Sequence, residues 1–151
     1  MKNYLTGLML LICSTLNVHA LDLSGELTTA VMTGRVDYVR ELLASGADVN
    51  AKAQSGRPVI VLAAASGNKR TLQALLVAGA DLNAVDAAGN SAVMEASAFG
   101  YIDIVSLLIA SGADVNLKNA TGETALKKAN RSGHSKITEL LQQAGATEGT
   151  E

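Results

Sequence analysis

Aromatic residues are scarce in this sequence. Trp is absent, Phe occurs once, and Phe, Trp and Tyr together make up 3% of 151 residues, although 48% of the residues are hydrophobic. A core must therefore be built from Ala, Val, Leu and Ile, whose side chains suit closely packed helices. The length fits one domain and leaves no room for a second. We therefore expect a single unit of short packed helices.

Cysteine is limited to Cys13, which lies in an N-terminal segment with the features of a secretory signal peptide. Lys2 supplies the positive charge, residues 5–16 are mostly apolar, and residues 18–20 (Val-His-Ala) fit a cleavage site. The apolar stretch is shorter than the roughly 20 residues that a membrane-spanning helix needs. We therefore expect loss of residues 1–20 and a periplasmic or secreted protein without a stable membrane anchor. A signal peptide that is retained as an anchor is the alternative.

A large excess of charge and the common catalytic motifs are also missing. Without residues 1–20, which hold one Lys and no acid, the chain has 11 basic and 14 acidic residues, a net charge of -3. This balance does not suit a nucleic-acid binder. Phosphate-binding glycine loops and the Gly-x-Ser-x-Gly, His-Glu-x-x-His and calcium-loop patterns do not occur. We therefore expect no catalytic residues, no cofactor and no metal site.

Glycine, in contrast, is abundant and periodic. Three columns of glycine share a spacing of 33 residues: Gly34, Gly67, Gly100 and Gly133; Gly46, Gly79, Gly112 and Gly145; Gly56, Gly89 and Gly122. The segments 46–50, 79–83 and 112–116 all read Gly-Ala-Asp-Val-Asn or Gly-Ala-Asp-Leu-Asn. A fixed period of this length is the signature of a repeat array. The pattern closely resembles the ankyrin repeat, whose unit of the same length begins with Gly-x-Thr-Pro-Leu, turns at Gly-His and ends with Gly-Ala-Asp-Val-Asn.

The resemblance implies an all-α fold, an ankyrin-repeat solenoid of four helix-turn-helix repeats with short hairpin-like loops. The repeats cover about residues 22–52, 53–85, 86–118 and 119–147, so the repeat domain spans residues 21–147 and residues 148–151 form a short tail. Small and apolar residues recur in register along the inner and outer helices: Ala30, Ala63, Ala96 and Ala129; Leu42, Leu75, Leu108 and Leu141. We expect these columns to form the core between repeats.

The first and last repeats differ from the middle two, as the end repeats of a solenoid must. Polar residues stand in both of them where the middle repeats are mostly apolar: Thr28, Thr29, Arg40 and Glu41 in the first; Lys127, Lys128, Asn130 and Gln142 in the last. We expect these repeats to be caps that present wettable faces to solvent. His134 occupies the Gly-His turn of the last repeat, so we expect it to have a structural role.

A candidate protein-binding surface also follows from the resemblance, because ankyrin stacks usually bind proteins on their concave side. Loop tips and the exposed edge of the inner helices form that side. By register, the candidates are Met32, Gln54, Arg57, Ser66, Asn90, Phe99, Tyr101, Glu123 and Arg131. We expect Phe99 and Arg57 to anchor a partner. Truncating either side chain should therefore weaken binding and leave stability unchanged. The alternative to a binding role for Phe99 is that its ring folds over the edge of the repeat.

Glu95 is expected to form an exposed ion pair with Lys128 of the next repeat.

Three functions remain open on the sequence alone. The first is a binding module that acts as helper or inhibitor of a periplasmic partner, for example an enzyme or a toxin. The second is a secreted effector that binds a host protein, which would require export beyond the periplasm. The third is an enzyme with an unfamiliar site, and it is disfavoured because the small, Ala-rich repeats offer no clustered acid, base or nucleophile.

Overall fold

The computed structural model describes residues 23–148, and this range contains eight helices joined by turns and loops. Within this range no strand forms, and two isolated antiparallel bridges join Lys52 to Pro58 and Val85 to Ser91. The helices are α1 (residues 23–32), α2 (Val36–Ala44), α3 (Val59–Ala65), α4 (Lys69–Val77), α5 (Ala92–Phe99), α6 (Ile102–Ala110), α7 (Ala125–Arg131) and α8 (Ser135–Gln143). The predicted all-α solenoid is confirmed. The signal peptide predicted for residues 1–20 lies outside the described residues.

The helices alternate between an inner and an outer layer. In the inner layer α3 packs against α5, and α5 packs against α7; α1 belongs to the same layer by register. In the outer layer each of α2, α4 and α6 packs against the next outer helix. Because contacts run mainly between neighbouring repeats, the stack grows in one direction, as solenoids do.

The turn between the two layers requires glycine for conformation and for space. Gly100 has a φ of +80°, in the left-handed region that other residues rarely adopt. A Cβ at Gly100 would also lie 2.7 Å from the His134 ring, and a Cβ at Gly67 would lie 2.9 Å from the Tyr101 ring. The residue that precedes an outer helix therefore packs on the turn of the previous repeat. His134 also has its Nε2 3.2 Å from the carbonyl oxygen of Ala98, which confirms its structural role.

The core lies between the layers and follows the predicted columns. Every member of the two columns is at most 4% exposed: Ala30, Ala63, Ala96 and Ala129; Leu42, Leu75, Leu108 and Leu141. The alanines let inner helices of adjacent repeats approach closely, and the leucines fill the space behind them. Truncating one of the fully buried leucines to Ala is expected to cost about 2–5 kcal/mol of stability.

A ladder of asparagine side chains connects the loops between repeats. Oδ1 of Asn50 accepts a hydrogen bond from the backbone N–H of Asp81 at 2.8 Å. Oδ1 of Asn83 accepts from the N–H of Asp114 at 2.9 Å, and Oδ1 of Asn116 accepts from the N–H of Thr147 at 2.8 Å. The aspartates that precede these asparagines also fold their own loops, since Oδ1 of Asp81 accepts from the N–H of Asn83 at 2.9 Å. The ladder therefore sets the spacing of the loops.

The C-terminal end of the stack is polar, with one correction to the sequence analysis. Lys127, Asn130 and Gln142 are exposed, as expected of a cap. The expectation for Lys128 is wrong, because its side chain is only 9% exposed and its ammonium faces Glu95 of the preceding repeat. The side chain of Lys128 therefore faces the preceding repeat.

The N-terminal end of the stack is covered by polar and aromatic contacts on α1 and α2. Tyr38 donates a hydrogen bond to the Glu26 carboxylate, which raises the pKa of the Tyr38 phenol, and the Arg35 guanidinium lies 4.7 Å from the centre of the Tyr38 ring. Thr29, Arg40 and Glu41 are exposed as expected. The expectation for Thr28 is wrong: its side chain is buried, and its hydroxyl donates a hydrogen bond to the carbonyl of Ser24 at 2.9 Å. Tyr38 stands at a position that is buried in every later repeat: Thr71, Ile104 and Ile137.

Candidate functional site

The loop tips form the first part of the candidate surface. They are residues 54–55, 87–88 and 120–121, and all six are exposed. The loops fold locally: Oδ1 of Asp86 accepts hydrogen bonds from the backbone N–H groups of Ala88 at 3.0 Å and Asn90 at 2.9 Å, and Asn119 does the same one repeat later. Short polar side chains of this kind stabilise tight turns without secondary structure around them. These bonds hold the tips at residues 87–88 and 120–121. The tip with the candidate Gln54 has Ala53 at that register and is closed by backbone hydrogen bonds instead, from Ala53 N–H to the carbonyl of Arg57 at 2.9 Å and from Gly56 N–H to the carbonyl of Ala53 at 2.8 Å.

Four of the predicted binding residues, Arg57, Asn90, Glu123 and Arg131, form polar contacts within the protein. Arg57, Asn90 and Glu123 share one register position beside the loop tips. Nη2 of Arg57 lies 3.3 Å from Oδ2 of Asp86, and Oδ1 of Asn90 accepts a hydrogen bond from Nδ2 of Asn119 at 2.9 Å. Each contact joins one loop to the next. Glu123, in the last described repeat, forms an ion pair with Arg131.

A chain of four charges crosses three repeats beneath this surface. Besides Asp86, Nη2 of Arg57 lies 3.6 Å from Oε2 of Glu95, and Nζ of Lys128 donates to Oε1 of Glu95 at 3.5 Å. The side chains of Asp86, Glu95 and Lys128 are 8%, 9% and 9% exposed. The pair of Glu95 with Lys128 is confirmed, but its expected exposure is wrong, because neighbouring inner helices cover it.

Arg57 is therefore not the free anchor that the sequence analysis expected. Its side chain is 35% exposed, and its guanidinium compensates two almost buried carboxylates. Removing one member of a buried charge network leaves the others poorly compensated. Truncation of Arg57 should consequently lower stability as well as any binding, and the expectation that stability would not change is corrected.

The second part of the candidate surface lies at the C-terminal ends of the inner helices. Met32, Ser66, Phe99 and Arg131 stand at these ends, and we call them the helix-end row. All four are exposed, Met32 to 60% and Phe99 to 56%. An inner helix of eight residues is about 12 Å long, so the backbone of the helix-end row is set back from the start of the helix by about that distance. Side chains still connect the two parts: Arg131 forms an ion pair with Glu123, and Met32 lines one groove together with Gln54 and Ser55.

An aromatic pair fixes the centre of the helix-end row. The rings of Phe99 and Tyr101 stack with centroids 5.9 Å apart and an angle of 25° between their planes. Tyr101 is half-buried, because its ring lies on Gly67 of the preceding repeat. The predicted exposure of Phe99 is confirmed, and Tyr101 acts as its support. Offset stacking of this kind restrains an exposed ring before any partner arrives.

Sequence reasoning missed a groove at the N-terminal end of the stack. The groove has a volume of about 830 Å³ and lies between α1 and the loop residues 52–55, with Met32, Arg35 and Tyr38 among its lining side chains. Its lining comes from α1, the start of α2 and the loop of repeat 2. The signal was present in the register, since the position of Tyr38 is apolar and buried in repeats 3 and 4.

Two searches of residues 23–148 concern metal sites and membrane spans. Within that range, no group of three or more His, Cys, Asp or Glu side chains is placed to hold a metal ion. None of the helices in that range has the length and apolar character needed to cross a membrane. The exposed Phe99 and Met32 offer apolar contacts, and the loop tips offer hydrogen bonding.

Two family models match the chain. The model described as ankyrin repeats (3 copies) matches residues 60–150, and the model described as ankyrin repeats (many copies) matches residues 27–76. No curated protein matches the chain. Ankyrin repeats are modules of protein–protein interaction and are generally not enzymes. The matched 33-residue period and the stacked helix pairs agree over most of the chain, which belongs to the ankyrin-repeat family.

Proposed function

We propose that this chain is an exported protein-binding module that holds its partner on the concave side, as helper or inhibitor of a periplasmic protein. The loop tips and the helix-end row supply the contact surface. Family membership supports protein binding, and the features of residues 1–20 support export. The choice between helper and inhibitor depends on the identity of the partner.

The observation that carries the proposal is the exposed aromatic pair. Phe99 is the one phenylalanine of the chain, and more than half of its side chain is exposed in the middle of the stack. An exposed aromatic ring that is already restrained loses little conformational freedom on binding. Such residues are typical of interface hot spots, especially where polar neighbours surround them. Ser66 and the paired Arg131 are such neighbours in the same row.

Export has a direct test in the mass of the mature protein. If residues 1–20 are removed, the protein recovered from the periplasmic fraction begins at Leu21 and stays soluble when membranes are sedimented. Intact-mass spectrometry of each fraction measures this. Recovery of a membrane-bound protein that still begins at Met1 would show that export with cleavage is wrong.

Protein binding is tested by affinity capture from a periplasmic extract with three immobilised proteins. They are the unchanged protein, Phe99→Ala, and Val77→Ala as a matched control. Val77 is 91% exposed but lies at the end of an outer helix. We expect a protein that the unchanged chain and Val77→Ala retain equally and that Phe99→Ala retains poorly. Equal retention by all three would remove the aromatic pair from the contact surface.

A further inference from the structure

A cluster of cations lies where the outer helices α2 and α4 begin. Arg35, Arg40 and Arg70 line a pocket of about 580 Å³ there. Asp37 is the one carboxylate in the lining, and it lies 3.7 Å from Nη1 of Arg40. Lys69 stands next to Arg70 in the first turn of α4, and both are exposed. Arg35, Arg40, Lys69 and Arg70, here called the basic cluster, therefore face a single lining carboxylate, while Glu26 and Glu41 act on Tyr38 at the other side of the pocket.

Lys69 and Arg70 are placed against the electrostatic preference of their own helix, α4. The N-terminus of a helix carries a partial positive charge, so acidic side chains stabilise it and basic ones do not. The first turn of α4 has Lys69 and Arg70 and no acid, whereas the same turn of α6 has Asp103. No ion pair joins Lys69 or Arg70 to a carboxylate among residues 23–148. An anion supplied from outside would relieve this repulsion.

The basic cluster adjoins the aromatic pair. The Tyr101 ring lies on Gly67, two residues before Lys69, so Phe99 and Tyr101 reach from repeat 3 to the start of α4. On the other side of the pair Ile102 is 39% exposed. One continuous surface at the turn end of the stack thus combines cations in repeats 1 and 2 with exposed apolar side chains in repeat 3. This surface lies at the opposite end of the inner helices from the loop tips.

We propose that the turn end of repeats 1–3 binds a protein segment that carries several carboxylates beside a large apolar side chain. The carboxylates contact the basic cluster, and the apolar side chain packs on Phe99 and Tyr101. Charge complementarity selects an acidic segment, and the neighbouring aromatic pair selects a polypeptide over a simple anion. This inference rests on the proposed function in one respect, that the partner is a protein.

The test uses a synthetic peptide of four glutamates followed by phenylalanine and leucine, titrated into the ¹⁵N-labelled protein. The ionic strength is about 0.01 M, at which the Debye length is about 30 Å. We expect amide shifts at residues 34–40, 67–71 and 99–102. The double variant Arg40→Gln and Arg70→Gln should raise the Kd about fivefold or more, because each exposed ion pair contributes modestly. Lys136→Gln is the control, since Lys136 has the register of Arg70 in repeat 4.

Three results would overturn the proposal. One is a set of amide shifts confined to the loop tips, and the second is an unchanged Kd in the double variant. The third is inorganic phosphate shifting the same amides with the affinity of the peptide, which would identify a small-anion site. This proposal can fail while the proposed function stands. If binding of a captured partner needs Phe99 but tolerates the double variant, the chain is a protein-binding module whose basic cluster does not hold an acidic segment.

Discussion

At the scale of single residues, Ser97 is a polar group without a partner in the core. Its side chain is fully buried in α5, and its hydroxyl has no hydrogen-bond partner among residues 23–148. Ala64 stands at the same register one repeat earlier. Because a buried hydroxyl without a partner costs about 1–3 kcal/mol, Ser97→Ala should raise the free energy of unfolding by about 1 kcal/mol.

Urea unfolding measures this change against Ser106→Ala, an exposed serine inside α6. The control removes the part of the gain that comes from the higher helix propensity of Ala. A loss of stability in Ser97→Ala, with the control unaffected, would mean that the hydroxyl has a partner after all.

At the scale of elements, the loops of repeats 3 and 4 pack against each other more closely than the others. The backbone N–H of Ala120 donates to the carbonyl of Ala88 at 2.9 Å. A Cβ at Gly89 would lie 2.9 Å from that same nitrogen, whereas a Cβ at Gly122 would meet nothing within 4 Å. Their φ values are similar, +78° and +74°. Comparing Ala substitutions at the two glycines therefore separates the stability cost of backbone strain from the cost of crowding between the loops.

Gly122→Ala should cost about 1 kcal/mol, the strain of a left-handed residue. Gly89→Ala should cost about 1 kcal/mol more, because the loops must also move apart by a few tenths of an ångström. Thermal unfolding of both variants provides the comparison. Equal losses in stability would show that the two loops are not in contact in solution.

The buried charge chain is also a property of elements, since it joins the loops of repeats 2 and 3 to the inner helices α5 and α7. Glu95→Ala should lower the free energy of unfolding by about 3–5 kcal/mol, because it leaves Lys128 buried without a counter-charge. Leu62 stands at the same register in repeat 2, so the double variant Glu95→Leu with Lys128→Leu should be about as stable as the unchanged protein or more so. A complete double-mutant cycle by urea unfolding isolates the coupling. A mild single variant together with an unstable double variant would contradict this account.

At the scale of the whole molecule, the sequence predicts the stack because a fixed period assigns every residue the surroundings of its counterpart 33 positions away. Helix layers, leucine and alanine columns and turn glycines all follow from that rule. The rule predicts where each side chain lies in its repeat but not which side chains it contacts, and this explains why the exposure of Lys128 and the role of Arg57 were predicted wrongly. The register placed Glu95 beside Lys128, yet only the structure shows that this pair is buried and that Arg57 joins it. The groove at Tyr38 arises where the period ends, and there the rule has no counterpart to use.

In the proposed function, the exposed aromatic pair of Phe99 and Tyr101 serves binding, whereas the leucine column serves folding. The most direct measurement is the Kd of the captured partner, by titration calorimetry, together with the Tm, for Phe99→Ala and Leu108→Ala. Phe99→Ala should raise the Kd roughly thirtyfold, which is about 2 kcal/mol, and leave the Tm nearly unchanged. Leu108→Ala should lower stability by about 2–5 kcal/mol and leave the Kd of the folded fraction unchanged. If Phe99→Ala instead unfolds the protein and the remaining folded molecules bind with full affinity, Phe99 belongs to the core and the claim is wrong.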